Sequence, residues 1–350
     1  MIQGSDYPET VIRIIHVSDT HLGFDHPIHP RVNKARRGED FFNNFAAVLR
    51  YATENKADYL VHGGDLFYRS RVPAGITNRT YQMLNGIAGT GIKVLIVPGN
   101  HERGNLPASL FLADSNIHVF DQPRSFVFSK DVHRFSFCGF PYQKDNIRDN
   151  FRIILEKTGW RQPDCAARFL CLHQVIEGAV VGPNDFRFNG TGPQNIASAD
   201  IPQGITAVLA GHIHRAQILH GNGTSGGHRV PIIYSGSTER TSSAERKELK
   251  GFYDIVIRLD SRGNITCKDI DFVVLPARPM VDIHIPPYMI EAELLKFIKE
   301  QIRDLDPRSI VYFKCRKENK MTKSVVPRER LLRNIMPREM IGKLTRSCFV

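Results

Sequence analysis

Apolar residues along the chain recur with two spacings, and the alternation between them lays out the elements. Short apolar or β-branched runs lie at residues 11–17, 58–62 and 92–97, ended by Ser18, Gly63 and Pro98-Gly99. Between them Phe41, Phe42, Phe45, Val48, Leu49 and Ala52 recur at helical spacing, as do apolar residues over 76–87. This strand–helix order predicts parallel strands joined by crossover helices. After residue 117 the texture changes. Runs at 117–120, 125–129 and 133–139 read as strands, 145–157 as a helix, and 168–172 and 205–210 as further buried strands. Three more β runs, 230–235, 252–259 and 265–275, predict a second sheet packed on the first.

The Gly-, Pro- and Asn-rich stretch 177–195 reads as a long loop. Loops of that length without structure of their own are uncommon unless functional. Pro276 and Pro279 mark a boundary. Beyond them a strand at 280–285, a helix marked by Leu294, Leu295, Phe297, Ile298 and Ile302, and a strand at 309–315 predict a small α/β module. From Lys320 the chain is basic, with helical potential at 328–335. The expected division is 1–277, 278–320 and a tail, 321–350.

Composition adds charge to this picture. Hydrophobic content of 41% with 24% charged residues suits a soluble globular chain. Residues 1–10 have neither a basic n-region nor an apolar h-region, and no apolar run approaches bilayer length. Six cysteines without a C-x-x-C pair read as reduced thiols, so a cytoplasmic protein is expected. The net charge of +11 is unevenly spread, with 16 basic against 9 acidic residues in 276–350 and a cluster at Arg31, Lys34, Arg36 and Arg37. Clustered basic charge favours a polyanion. Arg31, Arg36 and Arg37, with Arg69 and Arg71 just after Asp65, are candidates to hold a polyanion's backbone without reading its sequence.

The candidate chemistry sits at strand ends, where open α/β sheets bind ligands. In order these ends present Asp19-x-His21, Gly64-Asp65, Gly99-Asn100-His101-Glu102, His173 and Gly211-His212-x-His214. Each group alone is compatible with a capping carboxylate or a satisfied core histidine. Together they form an N/O donor set without thiolate, suited to divalent manganese, iron or zinc. A carboxylate can bridge two cations, and a close cation pair can clamp both oxygens of a phosphoryl transfer. The glycines before Asp65, Asn100 and His212 permit close backbone approach.

Over about residues 11–240 this set resembles the calcineurin-like metallophosphoesterases. Ser18-Asp19-Thr20-His21-Leu22-Gly23, Gly64-Asp65-Leu66-Phe67 and Tyr234-Ser235-Gly236-Ser237-Thr238-Glu239-Arg240-Thr241 narrow the resemblance to the SbcD-type DNA double-strand-break repair nucleases. The Arg37…Asp40 entry into the first helix and Lys250-Gly251-Phe252 are also similar to that family. The resemblance implies a four-layer α/β/β/α sandwich, a nuclease domain over 1–277, and a cap or DNA-binding module over 278–320. It implies one metal on Asp19, His21, Asp65 and His214, and a second on Asp65, Asn100, His173 and His212. His101 would contact the phosphate and assist the leaving 3′ oxygen. It further implies two Mn2+ ions, 3′ to 5′ exonuclease and single-strand endonuclease activity, an SbcC-type coiled-coil ATPase partner, and a homodimer. Two positions depart from the family pattern. Glu102 replaces the usual Asp, with its longer side chain still expected to orient His101, and Tyr68 stands where many members have a second functional His.

Two other functions compete. A metallophosphodiesterase acting on nucleotides or another non-DNA phosphodiester would keep the same ligands. A non-catalytic DNA-end scaffold for an SbcC-type ATPase would have no use for them.

Overall fold

The structure is a computed structural model. It describes residues 9–25, 36–103, 106–108, 110, 114–162, 164–190, 192–221, 229–286, 289–315, 332 and 334–344. The elements of its first half are β1 (Thr10–Val17), α1 (Gly38–Glu54), β2 (Tyr59–His62), α2 (Ala74–Ala88), β3 (Lys93–Ile96), β4 (Ile117–Val119), β5 (Arg124–Lys130), β6 (His133–Gly139), α3 (Ile147–Lys157) and β7 (Ala167–His173). Four two-residue strands follow, β8 (Val175–Ile176), β9 (Val180–Val181), β10 (Phe186–Arg187) and β11 (Asn195–Ile196). The chain continues through β12 (Ala207–Gly211), β13 (Gln217–His220), β14 (Pro231–Tyr234), β15 (Gly251–Leu259), β16 (Ile265–Val274), β17 (Met280–Ile285), α4 (Glu291–Ile302), β18 (Ile310–Cys315) and β19 (Ile341–Leu344).

The chain divides into two compact units, one of residues 1–24, 40–239 and 247–276 and the other of 25–39, 240–246 and 277–350. The first unit holds two six-stranded mixed sheets, ordered β16-β15-β1-β2-β3-β4 and β13-β14-β12-β7-β6-β5. β1 through β4 pair in parallel, and so do β6, β7, β12 and β14, with antiparallel strands at the flanks. Three apolar layers bind these sheets. Ile14, Val61 and Leu95 of one sheet meet Phe137, Phe169 and Leu209 of the other in the central layer. α1 and α2 cover the outer face of the first sheet through Phe41, Phe45, Val48 and Leu84. α3 and the following segments cover the second through Phe151, Leu155 and Trp160. The result is the expected α/β/β/α sandwich.

β12 is apolar throughout because both of its faces are buried. α1 is amphipathic because one face meets the sheet. Each of its buried phenylalanines contributes about 1.5–3 kcal/mol through apolar area removed from water.

One buried polar side chain crosses the central layer. His16, on β1, places Nε2 3.2 Å from the carbonyls of Ala210 and Ile233 in the other sheet, and Nδ1 3.3 Å from Val61 O. Burial lowers it to about 4, so it is a neutral strut at physiological pH.

The second unit is a three-stranded parallel sheet, β17-β18-β19, with α4 packed on it through Leu294, Ile298 and Ile302. Its third strand comes from the basic tail. The helix expected over 328–335 lies largely outside the described residues.

The stretch 177–195 is not a bare loop. β9 and β10 form a hairpin, and β8 and β11 form a short parallel ladder that closes its base.

Candidate metal centre

Five strand ends from both sheets deliver the candidate ligands to one rim. β1, β2 and β3 lead into Asp19 and His21, Asp65, and Asn100 and His101, while β7 ends in His173 and β12 runs into His212 and His214. Backbone bonds lace the first two turns together. The amides of Asp19 and His21 donate to Gly64 O at 2.9 Å and Asp65 O at 3.0 Å. Four candidate ligands adopt left-handed backbone, Asp19 (φ 51), His21 (φ 45), Asp65 (φ 52) and His212 (φ 85). This region is uncommon outside glycine and clusters at functional sites. Gly64 and Gly99 leave room where nothing larger fits, since a Cβ on Gly64 would overlap the His173 ring and one on Gly99 the Asp65 carboxylate.

Two groups of donors converge. In the first, His21 Nε2 and His214 Nε2 lie 2.9 Å apart, with Asp19 Oδ1 4.0 and 3.7 Å from them. Asp19 Oδ2 accepts from the Ser18 hydroxyl at 2.6 Å and the His212 amide at 3.1 Å, leaving Oδ1 buried without a hydrogen-bond partner. In the second, His173 Nδ1 donates to Gly63 O at 2.8 Å, which turns Nε2 toward Asn100 Oδ1 at 2.9 Å, His212 Nδ1 at 3.3 Å and Asp65 Oδ2 at 3.4 Å. His212 Nδ1 is itself 2.9 Å from Asn100 Oδ1. Asp65 belongs with both groups, lying within ligand distance of His21 and His101 on one side and of Asp19 and His173 on the other.

Such a gathering of acceptors needs a positive charge at each centre. A cation bound at about 2.0–2.2 Å holds its donors roughly 3–3.5 Å apart, close to the spacings found here. Protonation equilibria agree. Burial opposes ionisation of Asp65, but His173 and the other imidazoles outweigh it and hold the carboxyl below the usual range. Burial, and then the neighbouring imidazoles, keep His21 low and bring His212 down to about 3, so both present lone pairs at neutral pH. Despite burial, His173 is pushed up to about 9 by Asp65, so in the bare protein a proton supplies the missing charge. The orphaned Asp19 Oδ1 and the facing lone pairs fit a pair of divalent cations.

His101 stands beside this centre. Its Nδ1 donates to Tyr68 O at 2.6 Å, leaving Nε2 3.9 Å from Asp65 Oδ2 on a side chain 34% exposed. Its ring is thus oriented by the Tyr68 carbonyl. Glu102, expected to orient His101, instead accepts the Phe67 amide on Oε1 and the Gly99 amide on Oε2, both at 2.6 Å. It ties the Asp65 turn to the Asn100 turn. Burial and Asp65 lift Glu102 to about 8 against those two donors. The Tyr68 ring packs edge-on to His21 at 6.0 Å and tilted against His101 at 5.4 Å.

Other residues escaped the sequence reading because no motif contains them. His62 Nδ1 accepts the Gly64 amide at 3.2 Å, so its Nε2–H faces Thr20 Oγ1 at 3.0 Å, and that hydroxyl donates to Leu66 O. Tyr142 lies 5.7 Å from the His212 ring and 6.1 Å from that of His173.

The arginines part company. Arg69 and Arg71 are exposed, with Arg69 over the Tyr68 ring at 5.4 Å. Arg36 is exposed and pairs with Asp25 at 3.3 Å. Arg37, expected on a DNA-facing surface, is 2% exposed and donates to Thr241 O, so its guanidinium is turned inward. Arg31 lies outside the described residues.

The family model for calcineurin-like phosphoesterases matches residues 12–216, an interval that contains all seven candidate ligands and His101. The chain belongs to this family. Within the calcineurin-like phosphoesterases it is similar to archaeal proteins named DNA double-strand break repair protein Mre11. The protein of Methanocaldococcus jannaschii is 27% identical over 279 residues, covering 77% of this chain and 69% of that protein. That of Archaeoglobus fulgidus is 25% identical over 305 residues, covering 82% and 65%. That of Saccharolobus solfataricus is 21% identical over 339 residues, covering 95% and 79%. The chain thus spans about two thirds of the first two relatives. Among the described residues, no helix is long and apolar enough to cross a membrane.

Proposed function

We propose that the chain is a two-metal phosphodiester hydrolase acting on DNA, a 3′ to 5′ exonuclease and single-strand endonuclease of double-strand-break repair. The observation that carries the metal half is the buried, partnerless Asp19 Oδ1 facing the His21 and His214 nitrogens beside a second such group. The DNA half is supported by the uneven basic charge and by the repair function in the relatives' names.

Asp19, His21, Asp65 and His214 would hold one cation, and Asp65, Asn100, His173 and His212 the other, with Mn2+ the metal we favour. Such a pair, when bound, neutralises charge on the non-bridging phosphoryl oxygens and acidifies water. The protein's own groups do the rest. His101, fixed through Nδ1, presents Nε2 to the departing 3′ oxygen and, when both ring nitrogens carry hydrogen, hands it the Nε2 proton, leaving the neutral imidazole. Glu102 and the His62–Thr20 pair keep the ligand turns in register. Arg69 and Arg71, with Arg31 and Arg36, hold the backbone through charge alone. The buried Arg37 has no part in that contact. A homodimer and an SbcC-type coiled-coil ATPase complete the proposed assembly.

The test is incubation of the purified protein with linear and hairpin DNA, with manganese and then with chelator. Manganese-dependent cleavage that chelator stops is expected. Hydrolysis of nucleotides but not DNA would move the substrate, and DNA binding without cleavage would leave a scaffold.

A further inference from the structure

The hairpin of β9 and β10 is unused by this mechanism, yet it stands on the same rim. It leaves the chain a few residues after His173, and Arg215, the neighbour of His214, pairs with Asp185 at its tip at 2.5 Å. β7 and β12, which carry those histidines, are adjacent parallel strands. The hairpin is firmly held. Gln217 bonds both the amide and the carbonyl of Val180 at 2.9 Å, acting as a strand in miniature. Gly178 donates to Phe188 O, and Phe188 to Ala179 O, each at 2.9 Å.

What this anchored element exposes is unusual for a soluble surface. Phe186 is 60% exposed, the one aromatic among the large exposed hydrophobic side chains of the described residues. Its ring lies edge-to-face on Phe188 at 5.2 Å, and Phe188 packs on the apolar layer beneath the second sheet. The ring is therefore braced from behind, with its outer side open. The adjacent Arg187 is exposed and makes no ion pair among the described residues, while Arg215 neutralises Asp185.

We propose that this hairpin is a single-strand contact, with Phe186 stacking on an unpaired base and Arg187 pairing with the neighbouring phosphate. The inference rests on the DNA reading and sharpens it, naming strands with unpaired bases as the preferred substrate. An isolated ring flanked by Pro183, Asn184 and Asp185 offers far less apolar area than the roughly 800 Å² per side of a stable protein interface. One base has a π-face of matching size, and stacking on it tolerates any sequence. In a duplex interior that face is already covered.

The test uses the full chain with Phe186→Ala, Phe186→Trp and Arg187→Ala, each checked for normal manganese content, against labelled oligothymidylate. Phe186→Ala should bind about tenfold more weakly, and Arg187→Ala should flatten the salt dependence. Phe186→Trp should retain binding and show quenched emission, readable because the one native tryptophan, Trp160, is only 5% exposed. Unchanged binding by Phe186→Ala, unquenched emission, or a drop in molecular mass revealing a contact between copies would overturn the proposal. A wild-type protein that hydrolyses bis(p-nitrophenyl) phosphate yet binds no oligonucleotide would overturn the DNA reading itself.

Discussion

Glu102→Asp restores the carboxylate that most of the family resembled here carries, and it should weaken this protein. The Glu102 oxygens reach two amides on different turns, Phe67 and Gly99, at 2.6 Å each. Removing one methylene shortens the reach by roughly 1.5 Å. The shorter side chain can keep Gly99, three residues away on its own turn, but not Phe67 as well. Charge is unchanged, so the difference isolates length. Leaving the buried Phe67 amide without its acceptor costs about 1–3 kcal/mol. Because the lost bond joins the turns of Asp65 and Asn100, the cost should fall on metal binding, as roughly a 10- to 100-fold loss of affinity. Manganese titration by calorimetry measures that loss, and urea unfolding of the chelated protein measures any remainder. An aspartate variant equal to wild type in both would refute the assignment of Glu102 as the tie between the turns.

Three further perturbations separate the parts of the site. His101→Ala should keep its cations and lose about 10²- to 10⁴-fold in turnover on DNA, whereas Asp65→Ala should lose both cations together; elemental analysis beside a nuclease assay distinguishes them, and a fully active His101→Ala would end its role as proton donor. Gly99→Ala should abolish metal binding because its methyl would overlap the Asp65 carboxylate, and normal metal content would contradict the geometry. His16 is lowered to about 4 from 6.5, so its neutral form contributes stability that is complete above pH 6.5 and is lost as pH falls toward 4, up to about 3 kcal/mol; His16→Gln should flatten the pH dependence of unfolding in that window, and parallel curves would exclude the strut.

The sheets and the ligands were legible for one reason. Buried parallel strands are apolar along most of their length, so their ends, and the polar residues just beyond, stand out in a linear reading. Asp19, Asp65, Asn100, His173 and His212 all sit at such ends. What escaped depends on distant partners. Arg37 reads as surface charge until Thr241, over 200 positions away, supplies its carbonyl acceptor. The hairpin at 180–187 owes its shape to the Gln217 side chain rather than to a long alternating pattern. Glu102 was expected to orient His101 because it stands where the resembled family carries Asp, but its acceptor geometry matches the amides of Phe67 and Gly99 instead.

Each donor group takes members from both sheets: Asp19 and His21 with His214 in one, and Asp65 and Asn100 with His173 and His212 in the other. Ions seated there would act as rivets through the seam of the sandwich. Prying the sheets apart at that edge then means giving up the ions, so a hundredfold excess over Kd adds about 2.7 kcal/mol against unfolding for each independent ion. Stripped of them, the same edge is where the molecule should gape first, and amide exchange at the turns around Asp65 and His212 should quicken before the far ends of the strands respond.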